Sequence, residues 1–209
     1  MTKRNTPAAP AGYFFCFAAV LCSISIFTPA CTRYKKSAGI ETSEISPYLK
    51  DGDIICRLGD RLWSLYFRDI SPTDKRFSHL GIVRIHDGTV SVINAEGHTI
   101  GGQDSVNEVP LQEFIKIAKT LAVYRVKSVN GSTISTAAME YKGYPFDWKF
   151  DMNDEKSLYC TELLYAVLRR TAPEITLKTT FISEIGRSII PLEACSNSGD
   201  FDEILYIAR

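Results

Sequence analysis

Residues 79–96 read HLGIVRIHDGTVSVINAE, and this stretch decides how the chain folds. Two apolar runs flank Asp87-Gly88, and Asp-Gly between apolar runs is among the strongest short-range signals for a β-hairpin. Counting outward from a turn centred on Asp87-Gly88 places His79 opposite Glu96. Side chains that oppose each other directly on one face of an antiparallel pair have Cβ atoms about 4.5 to 5.5 Å apart. The hairpin therefore predicts a carboxylate beside an imidazole.

Short apolar strands and helices surround this hairpin. A turn at Asp51-Gly52-Asp53 precedes the first predicted strand, and a helix capped by Ser157 is predicted to continue through Leu168. Further strands are predicted at Ile54 to Cys56, Leu121 to Val126 and Ile204 to Ala208, and further helices at Pro110 to Ala118 and Ser132 to Tyr141. This order of elements indicates an α+β domain with a mostly antiparallel sheet packed against helices.

Cys160 falls in the first turn of the helix that Ser157 is predicted to begin. The N-terminus of a helix favours negative charge, and we therefore expect the pKa of this thiol to be lowered. A cysteine and a histidine are the minimum for thiol catalysis, because the imidazole takes the thiol proton and later protonates the leaving amine. Cys160 and His79 are the candidate pair, and Glu96 would orient the imidazole. A buried structural thiol and a core histidine remain the alternative interpretations.

The N-terminal residues have the pattern of an exported protein. Lys3 and Arg4 precede a long apolar run, and small residues follow it up to Ala30, which is the order of a secretory signal peptide. Cys31 after this leader fits the lipidation site of a bacterial lipoprotein, while simple cleavage or an uncleaved anchor are the alternatives. We therefore expect a leader at 1–30, a polar tether at 31–49 and a domain at 50–209, exported and held at the membrane by a lipid on Cys31.

The charge and the cysteine content of the chain restrict the classes of partner and cofactor that it is expected to bind. The chain has 24 basic and 24 acidic residues, and removal of the leader leaves 22 basic against 24 acidic, so no nucleic-acid surface is expected. Three cysteines remain in the domain, of which Cys56 and Cys195 are expected to be buried thiols, a disulfide between them being the open alternative. No cysteine and histidine cluster has ligand spacing, and neither a metal site nor a cofactor is predicted. The oligomeric state is not indicated.

Four motifs in order carry a family resemblance. They are Asp51-Gly52-Asp53-Ile54-Ile55, Phe77-Ser78-His79-Leu80-Gly81-Ile82-Val83, Asn94-Ala95-Glu96 and Tyr159-Cys160-Thr161-Glu162-Leu163. Together they resemble the circularly permuted papain-like amidases of the NlpC superfamily, the YaeF/YiiX-like group. In that group the histidine precedes the cysteine in the chain, as it does here. The resemblance covers about residues 50 to 208.

The resemblance implies a permuted papain-like fold and an activity. Cys160 would be the nucleophile, His79 the base and Glu96 the orienting residue, while Tyr159 would bind substrate near the oxyanion or only pack. The implied reaction is amide hydrolysis on a peptide or amino-acid amide, with cell-wall peptides as one candidate substrate. Two other functions remain open, which are an acyltransferase or thioesterase with the same residues and a surface lipoprotein that binds a ligand without catalysis.

Overall fold

The structure is a computed structural model that describes residues 39–60, 62–98 and 104–209. The predicted leader and the lipidation site at Cys31 lie outside these residues. None of the helices in the described ranges is long and apolar enough to cross a bilayer.

The described residues form a six-stranded antiparallel sheet, an additional two-stranded sheet and five α-helices. The strands are β1 (Ile54–Leu58), β2 (His79–His86), β3 (Thr89–Ala95), β4 (Val106–Pro110), β5 (Thr120–Val126), β6 (Thr180–Ile182), β7 (Arg187–Ile189) and β8 (Phe201–Ala208). The helices are α1 (Thr42–Ile45), α2 (Leu62–Asp69), α3 (Leu111–Ile115), α4 (Gly131–Met139) and α5 (Cys160–Thr171), with 3-10 turns at Ser46–Tyr48 and Leu192–Ala194. The large sheet has the order β4-β3-β2-β1-β5-β8. This architecture confirms the α+β class.

The hairpin of β2 and β3 has the predicted turn and register. Its paired residues run from His86 opposite Thr89 to Ile82 opposite Ile93. The two turn residues have positive φ, 49° at Asp87 and 74° at Gly88, as the type I′ turn of a two-residue hairpin requires. The open end of this hairpin carries His79 and Glu96.

Both faces of the large sheet are covered. Helices α4 and α5 pack on the face that carries Ile54 and Ile82, whereas α1 and α3 pack on the face that carries Ile55 and Val83. Because no strand side chain at these positions meets solvent, β1 and β2 are almost continuously apolar rather than alternating. Burial on two faces explains why the sequence Ile54-Ile55-Cys56 is apolar at every position.

Residues 39–49 are packed and do not form part of a tether. Ile40, Ile45 and Leu49 are buried in the cluster between α1, α3 and the sheet. The predicted tether at 31–49 is therefore corrected for its second half. The polar residues between these three side chains face solvent, which is why composition alone indicated a tether.

The Asp51-Gly52-Asp53 turn holds several elements together. Asp51 accepts hydrogen bonds from the backbone N–H of Ile85 and from the hydroxyl of Ser135, and Asp53 forms a two-pronged ion pair with Arg125. Gly52 has a φ of 78°, and a Cβ atom there would lie 2.1 Å from the backbone oxygen of Gly131. The turn thus links β1 to β2, β5 and α4. These contacts hold β1 in position, and β1 is the strand that pairs with β2 at His79.

Candidate active site

Cys160 is the first residue of α5, and its position follows from the loop before it. Ser157 was the predicted N-cap, but its hydroxyl bonds Asp154 within the loop, and the cap position is occupied by Tyr159. The carboxylate of Glu162 accepts the backbone N–H of Tyr159 at 3.3 Å and closes the first turn. Cys160 is therefore placed where unpaired backbone N–H groups of the helix point outward.

One cavity contains the four residues that the sequence singled out in the domain. Cys160, His79, Glu96 and Tyr159 all line it, and it encloses about 790 Å³ with its open mouth included. The sulfur of Cys160 interacts with the backbone N–H of Leu80, the residue next to His79. The thiol from α5 and the imidazole from β2 are thus brought to the same end of the sheet.

The imidazole of His79 is fixed on two sides. Nε2 lies 3.1 Å from the amide oxygen of Asn94, and the ring packs against Phe114 with centroids 5.6 Å apart. An amide oxygen only accepts hydrogen bonds, so Nε2 carries the proton and Nδ1 keeps its lone pair. This tautomer leaves Nδ1 as the nitrogen that can take a proton from the thiol.

Asn94 was not identified from the sequence, although the register contains a signal for it. Asn94 lies opposite Gly81 when the hairpin pairing is continued, and it is therefore the diagonal neighbour of His79 on the same face. A Cβ atom at Gly81 would lie 3.1 Å from Cβ of Asn94 and 2.4 Å from a methyl group of Val92. The missing side chain at Gly81 makes the room in which Asn94 reaches the imidazole.

Glu96 acts on His79 through its charge. Its carboxylate accepts a hydrogen bond from Arg57 at 2.5 Å, and Arg57 lies directly opposite His79 in the pairing of β1 with β2. Arg57 also donates to the carbonyl oxygen of Phe114 and lies over the ring of that residue. Nε2 of His79 donates its hydrogen bond to the amide oxygen of Asn94, whereas Glu96 supplies a negative charge that acts on the ring.

Burial shifts the pKa of both His79 and Cys160. Burial lowers the pKa of His79 to about 4, opposed by the negative charge of Glu96 and reinforced by the positive charge of Arg57. Burial raises the pKa of Cys160 to about 11, opposed by the backbone N–H groups of Leu80 and Thr161. The expected lowering of the thiol pKa by the helix start is therefore wrong, because desolvation outweighs it. Burial thus favours the neutral form of both groups.

Tyr159 is tied to the wall of the cavity. Its hydroxyl oxygen accepts the backbone N–H of Ile190 at 3.1 Å, and its ring packs against Phe150 with centroids 5.2 Å apart. Burial raises the pKa of this phenol, so it stays protonated. Tyr159 therefore positions the Ile190 segment, while its role beside an oxyanion stays a prediction.

Much of the remaining cavity wall is apolar, and it comes in part from elements that the sequence did not reveal. The β6–β7 hairpin and the residues after it contribute one side, and α2 and the loop before α5 contribute the other. Its apolar side chains include Phe67, Phe146, Phe150, Ile189, Ile190 and Leu192. His98 also lines this cavity. Its backbone N–H donates to Asp104.

The described residues contain no group of three or more His, Cys, Asp or Glu side chains that could hold a metal ion. Cys56, Cys160 and Cys195 are buried free thiols in this part of the chain. The described site thus consists of a thiol, an imidazole, an amide and a carboxylate paired with a guanidinium.

Comparisons with known proteins agree with this fold. The model of a family described as permuted papain-like amidase enzymes, YaeF/YiiX, C92 family, matches residues 48–188. A crystal structure described as metalloprotein yiiX from Escherichia coli O157:H7 is similar with a TM-score of 0.63 and 16% identity, covering 77% of this chain and 98% of that one. No curated protein matches the chain. The family match confirms the resemblance expected from the four motifs.

Proposed function

Because the chain belongs to the permuted papain-like amidases of the YaeF/YiiX, C92 family, we propose that it cleaves amide bonds through an acyl-enzyme on Cys160. The observation that carries this proposal is that Cys160 and His79 line one cavity while Asn94 holds Nε2 of the imidazole. A reacting carbonyl group in this cavity would lie between a thiol and a base.

The reaction proceeds in two halves. The sulfur of Cys160 attacks the amide carbon as Nδ1 of His79 takes the thiol proton, and the oxyanion accepts hydrogen bonds from backbone N–H groups at the start of α5. The carbon–nitrogen bond then breaks, and the imidazolium gives its proton to the leaving amine. In the second half His79 deprotonates a water molecule that attacks the thioester, which releases the acid and restores the thiol.

The neutral state of both groups is compatible with this chemistry. A neutral imidazole has the lone pair that accepts a proton, and the negative charge of Glu96 stabilises the imidazolium as it forms. The same raised pKa of Cys160 also supports the alternative of a non-catalytic binding protein, because such a protein has no need of a reactive thiolate. Turnover measurements separate the two functions.

The apolar lining favours a substrate with an apolar acyl group. Contact with the aromatic and aliphatic side chains of the cavity removes apolar substrate surface from water, which stabilises the bound state. The leaving group would be an amine, as in a peptide or amino-acid amide, and cell-wall peptides are one class to test. The same lining supports a second candidate function, in which the acyl group is lipidic and passes to an acceptor other than water.

One experiment distinguishes these functions. Wild type and Cys160→Ala are incubated with amides, esters and thioesters of the same acyl chain. The mass of each intact protein is followed to detect an acyl adduct. An amidase gives free acid from the amide and a transient acyl adduct on wild type alone. Transfer to an added amine or alcohol, without acid, would replace the hydrolase proposal with an acyltransferase, and unchanged turnover by Cys160→Ala would end both.

We further propose that the protein is exported and tethered to a membrane by a lipid on Cys31. This proposal is supported by the charged start, the apolar run and the small residues before Cys31. We expect wild type in the membrane fraction and Cys31→Ser in the soluble exported fraction. An intact N-terminus at Met1 in the mature protein would contradict the proposal.

A further inference from the structure

The loop before α5 places one aromatic ring in contact with both sides of the cavity. Phe150 lines the cavity, and its ring packs against Phe67 of α2 with centroids 5.5 Å apart. The same ring lies 5.2 Å from that of Tyr159 and packs against the cluster that Tyr159 forms with Ile182 and Ile189. Ile182 and Ile189 belong to β6 and β7, on the other side of the cavity. The ring of Phe150 therefore occupies space between the two sides.

The backbone at Phe150 is strained. Its φ is 52°, in the left-handed region that bulky side chains rarely adopt. A glycine would adopt the same conformation without strain. The strain therefore arises from placing a phenyl ring at this position, and the turn itself does not require that ring. Strained residues of this kind are concentrated at sites that bind or react with a ligand.

Two carboxylates hold the loop in this conformation. Asp147 is buried and accepts hydrogen bonds from the backbone N–H groups of Lys149 at 2.8 Å and Asp151 at 2.6 Å, on either side of Phe150. The carboxylate of Asp151 forms an ion pair with Arg187 of β7 at 2.8 Å. The loop is thus closed on itself around Phe150 and bound to the β6–β7 hairpin. These contacts fix the position of the ring.

We propose that Phe150, held by its strained backbone, limits the length of the acyl chain that the cavity accepts. This limit deepens the proposed function and rests on it, because it assigns the apolar part of the cavity to the acyl group that Cys160 would carry. The space that a smaller side chain would open is bordered by the rings of Phe67 and Phe146. Further methylene groups of a longer chain would be removed from water there.

Alkyl methanethiosulfonates measure this limit without turnover. The thiolate of Cys160 attacks the sulfur that carries the alkyl group, the sulfur–sulfur bond breaks and methanesulfinate leaves, so the alkyl chain stays in the cavity on a disulfide. The full chain is treated with the methyl or the decyl reagent, and labelling is followed on residues 157–169, the tryptic peptide that contains Cys160. The ratio of the decyl to the methyl rate constant cancels any change in the thiolate fraction.

We expect Phe150→Ala and Phe150→Gly each to raise this ratio about tenfold, because loss of the ring admits the longer chain. Phe181→Ala is the matched control and should leave the ratio unchanged, since Phe181 is an exposed residue of β6 that does not line the cavity. A rise of less than threefold in Phe150→Gly, or an equal rise in Phe181→Ala, would overturn the proposal.

The same reagents separate this limit from the proposed amidase function. A raised ratio in a protein that hydrolyses no amide would keep the size limit of the cavity and reject the amidase. An unchanged ratio in a protein that hydrolyses amides would reject the limit alone.

Thermal unfolding tests the strain. Phe150→Gly should melt about 2 to 4 °C above Phe150→Ala, because glycine adopts a positive φ freely whereas alanine keeps the strain. Position 181 gives the opposite pair, since glycine weakens a strand, and Phe181→Gly should melt below Phe181→Ala. If Phe150→Gly melted below Phe150→Ala, the strained placement of the ring would be overturned.

Discussion

The amide oxygen of Asn94 lies 3.1 Å from Nε2 of His79 and selects the tautomer in which Nδ1 keeps its lone pair. The contact exists because Gly81, between the two positions in space, has no side chain. The contact between Asn94 and His79 therefore depends on Gly81, a residue that has no side chain.

Asn94→Ala should lower kcat/KM about 10- to 100-fold, because the imidazole loses the acceptor that fixes its ring and tautomer. The loss should fall mainly on kcat, and the far-ultraviolet circular dichroism spectrum should not change. Asn107→Ala is the matched control, since Asn107 faces Asn94 across β3 and β4 but is exposed. A loss of the same size in the control would mean that the sheet, rather than the imidazole, had been perturbed.

The pH dependence follows from the two buried groups. Below its pKa of about 4, His79 is protonated and lost as a base, and above its pKa of about 11, Cys160 has lost the proton that the base must move. We expect kcat/KM to be level between about pH 5 and pH 10. Alkylation of Cys160 by iodoacetamide should accelerate about tenfold per pH unit from neutral to alkaline pH, because only the thiolate reacts.

A thiolate paired with an imidazolium would behave differently in the same alkylation experiment. Its rate would already be high at mildly acidic pH and would stay level through neutrality. Observation of that plateau in wild type, and its loss in His79→Ala, would show that the pair is ionised despite its burial.

Glu96→Gln should move both limbs of the kcat/KM profile to lower pH. The negative charge of Glu96 raises the pKa of His79 and also raises that of Cys160, so its removal lowers both. Glu113→Gln is the control, because Glu113 is an exposed carboxylate on α3, outside the cavity. If only the amplitude of the profile changed, Glu96 would act by shaping the site rather than by its charge.

Gly81→Ala should weaken both the fold and the site. The added methyl group would lie 2.4 Å from a methyl group of Val92, and overpacking of this kind costs about 1 to 3 kcal/mol of unfolding free energy. It should also displace Asn94, so kcat should fall in the protein that remains folded. Gly88→Ala is a useful comparison, because its added Cβ meets no atom within 4 Å, although its φ of 74° strains the turn. Gly88→Ala should therefore lose stability while keeping kcat.

The raised pKa of Glu162 should make the free energy of unfolding depend on pH. Burial raises its pKa from 4.5 to about 8, so the folded chain keeps a proton that the unfolded chain releases in this range. The free energy of unfolding should therefore fall as the pH rises from about 4.5 to 8. Glu162→Gln keeps an oxygen for the backbone N–H of Tyr159 and should remove this decline in thermal melts. A decline of equal size in Glu162→Gln would assign the effect to other groups.

The local parts of the fold could be predicted from the sequence. Asp87-Gly88 specified both the turn and the register of β2 and β3, because a two-residue loop leaves little freedom in how its strands pair. The helix that carries Cys160 was recognised from its apolar stripe. The sequence predicts too early a start for this helix, because Ser157 is a favourable N-cap residue. In the structure its hydroxyl instead donates a hydrogen bond to Asp154 inside the loop.

The missed parts depend on contacts between distant residues. β4 is an edge strand that ends in a proline, and β6 and β7 have three residues each, too few for a periodic pattern to emerge. Arg57 meets Glu96 because β1 pairs with β2, an alignment that no turn specifies. The pKa of Cys160 depends on its burial, which is a property of the packed domain rather than of the helix start.

The two-stranded sheet of β6 and β7 stands apart from the six-stranded sheet, yet Ile189 and Ile190 reach the cavity from it and from the residue after it. The proposed nucleophile and base belong to α5 and β2. Under the proposed function, substrate selection and the chemistry therefore depend on separable pieces of chain. Grafting this hairpin between relatives offers a route to new acyl preferences that leaves the reacting groups in place.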